Sequence, residues 1–201
     1  MSAGSHGPSR LVVRDGQEWI LGADAEVARI RGGTTITHAV TAAVPPVFEA
    51  YGTVLLPEDW QAQQAAHDAA LIDVLAAHSQ TRSWWLGYLD TGADDIVFPD
   101  APPVGLYAHG SWRYVLVQAG PEQALSWRQS DGATFWKGAL PNLMFPSDRA
   151  WLTSTLWDDD WTCVGGSRGL LADLLTDPVL GARSRLVTID QDATPPGHES
   201  I

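Results

Sequence analysis

Residues 104–118 read VGLYAHGSWRYVLVQ, two apolar runs, Val104–Ala108 and Trp112–Gln118, on either side of His109-Gly110. Short runs rich in Val, Leu and aromatic residues favour strands, and a brief glycine-containing connection between two such runs is typical of a β-hairpin. The stretch therefore predicts two adjacent antiparallel strands.

Other hairpins and strands are predicted on both sides of this segment. Leu11–Val13 and Glu18–Leu21 flank the turn pair Asp15-Gly16, which favours a tight hairpin connection. Trp151–Trp157 and Trp161–Val164 flank an acidic turn in the same way. Single strands are predicted at Thr34–Val40, Val47–Leu56, Trp84–Leu89 and Arg185–Ile189, and a loop at Asp131–Pro146.

Helices interrupt these strands. Pro57-Glu58-Asp59 predicts a helix start with Asp59 as N-cap, and the apolar spacing continues to about His78. Pro121 predicts a second helix, and Ser167 caps a short third one over Gly169–Leu175. Hairpins interrupted by isolated helices predict an α+β fold, with a mostly antiparallel sheet built from hairpins and two or three packed helices.

The predicted domain organisation is simple. Residues 11–190 form one α+β domain, which suits a chain of 201 residues. Residues 1–10 and 191–201 are rich in Ser, Gly, Pro and acidic residues, so both are predicted to be flexible tails.

The composition is unusual in its ten tryptophans. Each indole can bury roughly 150–250 Å² and brings one N–H group that needs a partner. A domain of this size has limited room for so many satisfied indoles. We therefore expect some tryptophans to fill the core and others to mark a recognition surface.

The net charge is −12, and Lys137 is the only lysine. Such a surface repels phosphate backbones and anionic lipid, so neither a nucleic-acid partner nor a membrane partner is expected. A basic protein partner would be favoured electrostatically, although acidity also serves solubility. Cys163 is the only cysteine, which excludes an internal disulfide, and no signal-type segment is evident, so a cytoplasmic location is expected.

One motif points to catalysis. The segment Leu89-Asp90-Thr91-Gly92 resembles the active-site loop of retroviral-type aspartic proteases, in which an apolar strand precedes Asp-Thr-Gly. The resemblance implies that Asp90 would share a proton with a second carboxylate and activate water. Since only one such motif is present, catalysis would require a symmetric homodimer. Asp, Thr and Gly are also common turn residues, so an acidic turn after a strand is the simpler interpretation.

Tryptophans and carboxylates lie together at two predicted strand ends. Asp158 and Asp160 could share Mg²⁺ or Ca²⁺ through oxygen ligands, but the run lacks the order of an EF-hand loop, and a solvated turn explains it better. We therefore predict no cofactor and no metal. The candidate binding residues are Trp84, Trp85, Asp94, Asp95, Trp157, Asp158, Asp160 and Trp161.

Several blocks resemble a family of actinobacterial proteins that has no assigned activity. The most specific block is Leu140–Trp151, with the sequence LPNLMFPSDRAW, followed later by Val164-Gly165-Gly166-Ser167. Together with Phe48–Tyr51 and Trp84–Tyr88, the matching stretches cover most of residues 45–180. The resemblance implies no activity and no catalytic residue.

Three functions remain open from the sequence. The favoured one is a non-enzymatic protein-binding module of regulatory or immunity type, because the chain is acidic, rich in tryptophan and without a coherent catalytic set. The second is a homodimeric aspartic peptidase that uses Asp90. The third is a protein that binds a small molecule in a Trp-lined pocket.

Overall fold

The computed structural model describes residues 10–14, 17–90, 104–106, 113–126, 140–156 and 159–198. These residues form one antiparallel sheet with helices, which confirms the predicted α+β class. The ten strands of the described segments are β1 Arg10–Arg14, β2 Gln17–Leu21, β3 Ala50–Leu55, β4 Trp84–Leu89, β5 Val104–Gly105, β6 Arg113–Ala119, β7 Leu143–Pro146, β8 Leu152–Ser154, β9 Trp161–Gly166 and β10 Ser184–Val187.

Four α-helices lie in these segments, one more than the upper number predicted: α1 Asp24–Gly33, α2 Trp60–Ala77, α3 Pro121–Ser126 and α4 Arg168–Thr176. The sequence patterns missed α1, because its buried positions are only Val27 and Ile30 and it ends in Gly32-Gly33, which favours a turn. None of the helices combines the length and apolar character needed to cross a bilayer.

The strand order is β1-β2-β6-β4-β7-β8-β9-β3-β10, with β5 beside β6. Neighbouring strands run antiparallel throughout. The predicted pairing of these two strands is confirmed, since β5 pairs with β6 and Val104 lies opposite Tyr114. The predicted turn at His109-Gly110 lies outside the described residues. β4 lies between β6 and β7, where Gly87 is opposite both Leu116 and Leu143. β4 therefore pairs with two strands that lie well after it in the sequence, β6 and β7.

Both faces of the sheet are buried. On one face α2, α3 and α4 cover an apolar cluster that we call the helix-side cluster, whose largest members are Trp84, Tyr88, Trp151 and Trp19. On the other face α1 and residues 40–44 cover a second cluster, the α1-side cluster, whose largest members are Tyr51, Tyr114, Phe145 and Trp161. Side chains alternate between the two clusters along each strand, as the pleat of a β-strand requires.

Two sequence predictions were wrong. Thr34–Val40 forms bends and a single bridge at Ala39 instead of a strand. Its threonines bond locally, since Thr35 pairs with Thr41 through both the backbone and the hydroxyls, which competes with a ladder. In the predicted loop over Asp131–Pro146, Leu143–Pro146 is strand β7, because β4 and β8 offer it backbone partners on both sides.

Two predicted helix caps are confirmed. The Asp59 carboxylate accepts a hydrogen bond from the Ala62 N–H at 3.2 Å, at the start of α2. The Ser167 hydroxyl accepts one from the Leu170 N–H at 3.1 Å, at the start of α4. Each cap satisfies a backbone donor that has no partner inside its own helix.

The C-terminal segment differs from the flexible tail that the sequence predicts. Residues 191–198 lie against the end of the sheet: Ala193 is buried, and the Arg185 guanidinium donates to the carbonyls of Ala193 and Thr194 at 2.8 and 2.7 Å. Polar composition predicted a solvated tail, whereas one arginine at the edge strand provides hydrogen bonds that hold the segment.

Candidate functional site

The structure separates the tryptophans that the sequence placed in one binding face. Trp84 is 0% exposed in the helix-side cluster, where its ring meets that of Trp151 edge to face at 4.7 Å between centroids. Its indole N–H donates to the Thr81 carbonyl at 3.2 Å. Trp85, the next residue, packs against the opposite cluster and is only partly buried. Trp84 is therefore a core residue of this fold.

Trp161 lies at the start of β9 and is buried in the α1-side cluster. Asp160 before it is exposed, and its carboxylate lies 2.8 Å from the His198 ring nitrogen. The strands that carry Trp84 and Trp161 are separated by β7 and β8. The structure therefore brings Asp160 to a C-terminal histidine and does not bring Trp161 to Trp84.

The remaining predicted residues give less information. Asp94, Asp95, Trp157 and Asp158 lie outside the described residues. Asp90 is exposed at the end of β4, and its backbone N–H donates to the Arg113 carbonyl at 2.8 Å. A basic protein partner and a homodimeric peptidase using Asp90 both stay predictions from the sequence.

Cys163 has no nucleophilic character in this fold. Its side chain is buried in the α1-side cluster, and burial, with a smaller contribution from the Asp159 charge, raises the pKa of the thiol to about 12. A thiol with such a pKa is almost entirely protonated at neutral pH and is a poor nucleophile. Within the described residues, no three His, Cys, Asp or Glu side chains come together as metal ligands.

A different site emerges where α1, the turn between β7 and β8, and the start of α4 meet. A cavity of about 360 Å³ opens there, which we call the arginine pocket. Its volume falls at the lower end of the range of about 300–1,000 Å³ typical of small-molecule sites. The lining residues are Arg29, Val47, Phe48, Glu49, Arg149, Ala150, Gly166 and Ser167.

Arg29 extends from α1 into this pocket. Its guanidinium carbon lies 5.2 Å from the centre of the Phe145 ring, so the aromatic face stabilises the cation through a cation–π interaction. The Nε and one Nη atom are buried, and neither has a hydrogen-bond partner among the described residues. Burial, together with the positive charge of Arg149, lowers the pKa of Arg29 to about 10.

Arg149 is held in an unusual backbone conformation, with φ of +61°. Left-handed backbone is unfavourable for a non-glycine residue by roughly 1–2 kcal/mol. The turn is fixed from both sides, because the Arg149 N–H donates to the Pro146 carbonyl at 2.9 Å and Asp148 accepts from Ala150 and Gln80. Strain that is retained in this way often marks a functional position.

The two arginines are not paired with a carboxylate within the described residues. Neither Arg29 nor Arg149 forms a salt bridge with another part of the chain that the structure describes. The Asp148 carboxylate, adjacent to Arg149 in sequence, accepts from the two backbone N–H groups instead. In a protein of net charge −12, two guanidinium groups facing one cavity without a carboxylate partner are unexpected.

Glu49 contributes the carboxylate of the pocket lining, and its side chain approaches the start of α4. Its Oε2 lies 3.4 Å from the N–H of Arg168, the first residue of α4. The Ser167 hydroxyl accepts a hydrogen bond from the N–H of Leu170. The start of α4 is therefore largely satisfied by the protein itself, whereas the two guanidinium groups form no salt bridge within the described residues.

Two glycines allow the elements around the pocket to approach. A Cβ atom on Gly165 would lie 2.5 Å from the Phe48 ring, and one on Gly166 would lie 2.5 Å from Leu170. Either contact would displace a pocket wall or the start of α4. The Gly-Gly pair therefore has a packing role at this site, inside strand β9 and not after it as the sequence suggested.

Sequence reasoning missed both arginines as site residues. Arg29 and Arg149 are far apart in the chain, and no motif in the sequence connects them. The available signal was the block around Asp148-Arg149-Ala150-Trp151, which resembled a family motif but carried no assigned role. No protein-family model, curated protein or solved structure matches this chain.

Proposed function

We propose that this protein is a non-enzymatic binding module whose ligand is an organic anion held in the arginine pocket. The observation that carries the proposal is the pair of guanidinium groups, Arg29 and Arg149, that face a cavity of about 360 Å³ without a carboxylate partner in the described chain. Guanidinium groups recognise carboxylate and phosphate oxygens through paired N–H donors, and such bonds are stronger than neutral ones.

A bound anion would also explain how two arginines can lie together in one pocket. Burial lowers the pKa of Arg29, and repulsion from the like charge of Arg149 lowers it further. A bound anion between them would replace that repulsion with two attractive interactions. The acidic remainder of the protein makes this pocket the natural place for a negatively charged ligand.

The test uses benzoate as the probe in an amide NMR titration of the full chain. Arg29→Gln should weaken benzoate binding by about 10- to 100-fold, since a hydrogen bond to a charged group contributes roughly 1.5–3 kcal/mol. Arg31→Gln is the matched control, because Arg31 lies on the same helix but pairs with Asp24 at 3.4 Å outside the pocket. Equal losses in the two variants, or no response of pocket amides to benzoate, would overturn the proposal.

A second variant separates binding from folding. Arg149→Gly removes a guanidinium group at a position where φ is +61°, which glycine adopts without strain. The variant should unfold at a urea concentration equal to or above that of the wild type, yet lose most of its affinity for benzoate. A variant that is destabilised would show instead that Arg149 serves the fold.

A further inference from the structure

The arginine pocket combines opposite charges in unequal number. The lining contains two cations, Arg29 and Arg149, and one exposed carboxylate, Glu49. Glu49 pairs with neither arginine among the described residues, so it adds a negative charge to the lining. This carboxylate repels each negative charge of a ligand, and a dianion meets that repulsion twice.

The position of Glu49 at the start of α4 further disfavours a ligand with two negative charges. A phosphate group usually gains affinity at a helix N-terminus from free backbone N–H groups and the helix dipole. At α4, Glu49 lies 3.4 Å from the first N–H and Ser167 accepts from the third residue's N–H. Because the protein's own carboxylate occupies that end, a second negative charge on the ligand would meet repulsion there instead of donors.

Part of the remaining lining is apolar. Val47 is 67% exposed at the mouth of the pocket, and Phe48 is partly buried beside it. An exposed valine next to two guanidinium groups offers apolar surface to whatever the arginines hold. A ligand with a hydrocarbon body attached to its charged group would cover this surface and gain about 25 cal/mol for each Å² buried.

We infer that the arginine pocket selects a monocarboxylate with an aliphatic or aromatic body, and that Glu49 excludes phosphate dianions from it. The inference rests on the proposed function, since it names the ligand class of the same pocket. Glu49 acts here as a specificity-determining residue, by repulsion of the wrong ligand.

The experiment compares matched pairs of probes at pH 8, where a phosphate monoester is a dianion: benzoate against phenyl phosphate, and hexanoate against hexyl phosphate. In the wild type, each carboxylate should bind at least about tenfold more tightly than its phosphate partner. Glu49→Gln should raise the affinity for both phosphates by about 3- to 10-fold and change that for the carboxylates by less. Hexanoate should also bind more tightly than acetate if the apolar walls contribute.

The outcomes distinguish the two levels of the argument. If the phosphates bind as tightly as the carboxylates, and Arg29→Gln weakens both, the anion pocket stands and the selectivity is refuted. If Glu49→Gln leaves the phosphate affinity unchanged, Glu49 is not the specificity-determining residue. If no probe shifts the pocket amides, both the proposed function and the inference fail.

Discussion

Two adjacent buried residues of α2 give a pH dependence that one substitution should reveal. His67 is 0% exposed, and both of its ring nitrogens are without partners in the described chain. Burial, with a smaller contribution from Arg183, lowers the pKa of His67 from 6.5 to about 4. Asp68 is 6% exposed, and burial, opposed by a hydrogen bond from Gln64, raises the pKa of this carboxyl from 3.8 to about 7.

His67 and Asp68 change the unfolding free energy in opposite directions over the same pH range. Between pH 4 and 6.5 the unfolded chain protonates His67 and the folded protein does not, so this group lowers stability as the pH falls. Between pH 3.8 and 7 the folded protein keeps the Asp68 proton and the unfolded chain loses it, so this group lowers stability as the pH rises. At about 1.4 kcal/mol for each pKa unit, the contributions are about 3 and about 4 kcal/mol, and they largely cancel.

Asp68→Asn should reveal the pH dependence of the unfolding free energy that the two groups otherwise cancel. The difference in unfolding free energy between this variant and the wild type should rise in the variant's favour by about 4 kcal/mol from pH 4 to 7.5, because only the wild type loses the Asp68 contribution. Taking the difference removes the contributions of all other titrating groups. Urea unfolding followed by tryptophan fluorescence at several pH values measures it.

The control is Asp73→Asn, which removes an exposed carboxylate from the same helix. Its difference from the wild type should vary with pH far less than that of Asp68→Asn. A difference for Asp68→Asn that is constant over this range, or that falls as the pH rises, would refute the reasoning. His67→Leu provides the reciprocal case: its stability relative to the wild type should fall as the pH rises from 4 to 6.5.

Two further predictions concern packing. Gly52→Ala should destabilise the fold by about 1–3 kcal/mol, because a Cβ atom would lie 2.7 Å from Leu171 and 2.8 Å from a backbone oxygen of β10. Gly32→Ala should instead stabilise α1 by up to about 1 kcal/mol, because a Cβ atom there would have no other atom within 4 Å. Urea unfolding compares them, and equal stabilities would contradict the packing argument. Replacing Trp84 and Trp151 by leucine, singly and together, should give a coupling energy of about 0.5–1.5 kcal/mol, since their rings meet edge to face at 4.7 Å; additive effects would show that the pair has no specific interaction.

Local patterns predicted the elements whose signals are contained in a few consecutive residues. The strand Trp84–Leu89 was predicted with its observed bounds, and α2 with its Asp59 cap and its end near His78. Alternating burial and helix capping each depend on residues two to four positions apart, so the sequence displays them directly.

Elements stabilised by distant partners were missed or misassigned. Leu143–Pro146 is a strand only because β4 supplies hydrogen bonds along its length, as Gly87 opposite Leu143 illustrates. Thr34–Val40 shows the converse, since without a neighbouring strand its threonine hydroxyls bond locally, Thr35 to Thr41 and Thr37 to the Ala39 N–H. Strand propensity reflects packing with neighbours, and a single sequence does not reveal which neighbours are present.

The sequence by itself determined an acidic α+β chain with hairpins, capped helices and a large aromatic content. The tertiary structure alone decided where its charges meet. Arg29 and Arg149 are 120 positions apart in the chain, and they share a pocket because β7, β9 and α1 converge there around two glycines. Electrostatic interaction depends on distance in space and not along the chain, and for this reason a site made of two isolated arginines became visible only in the folded protein.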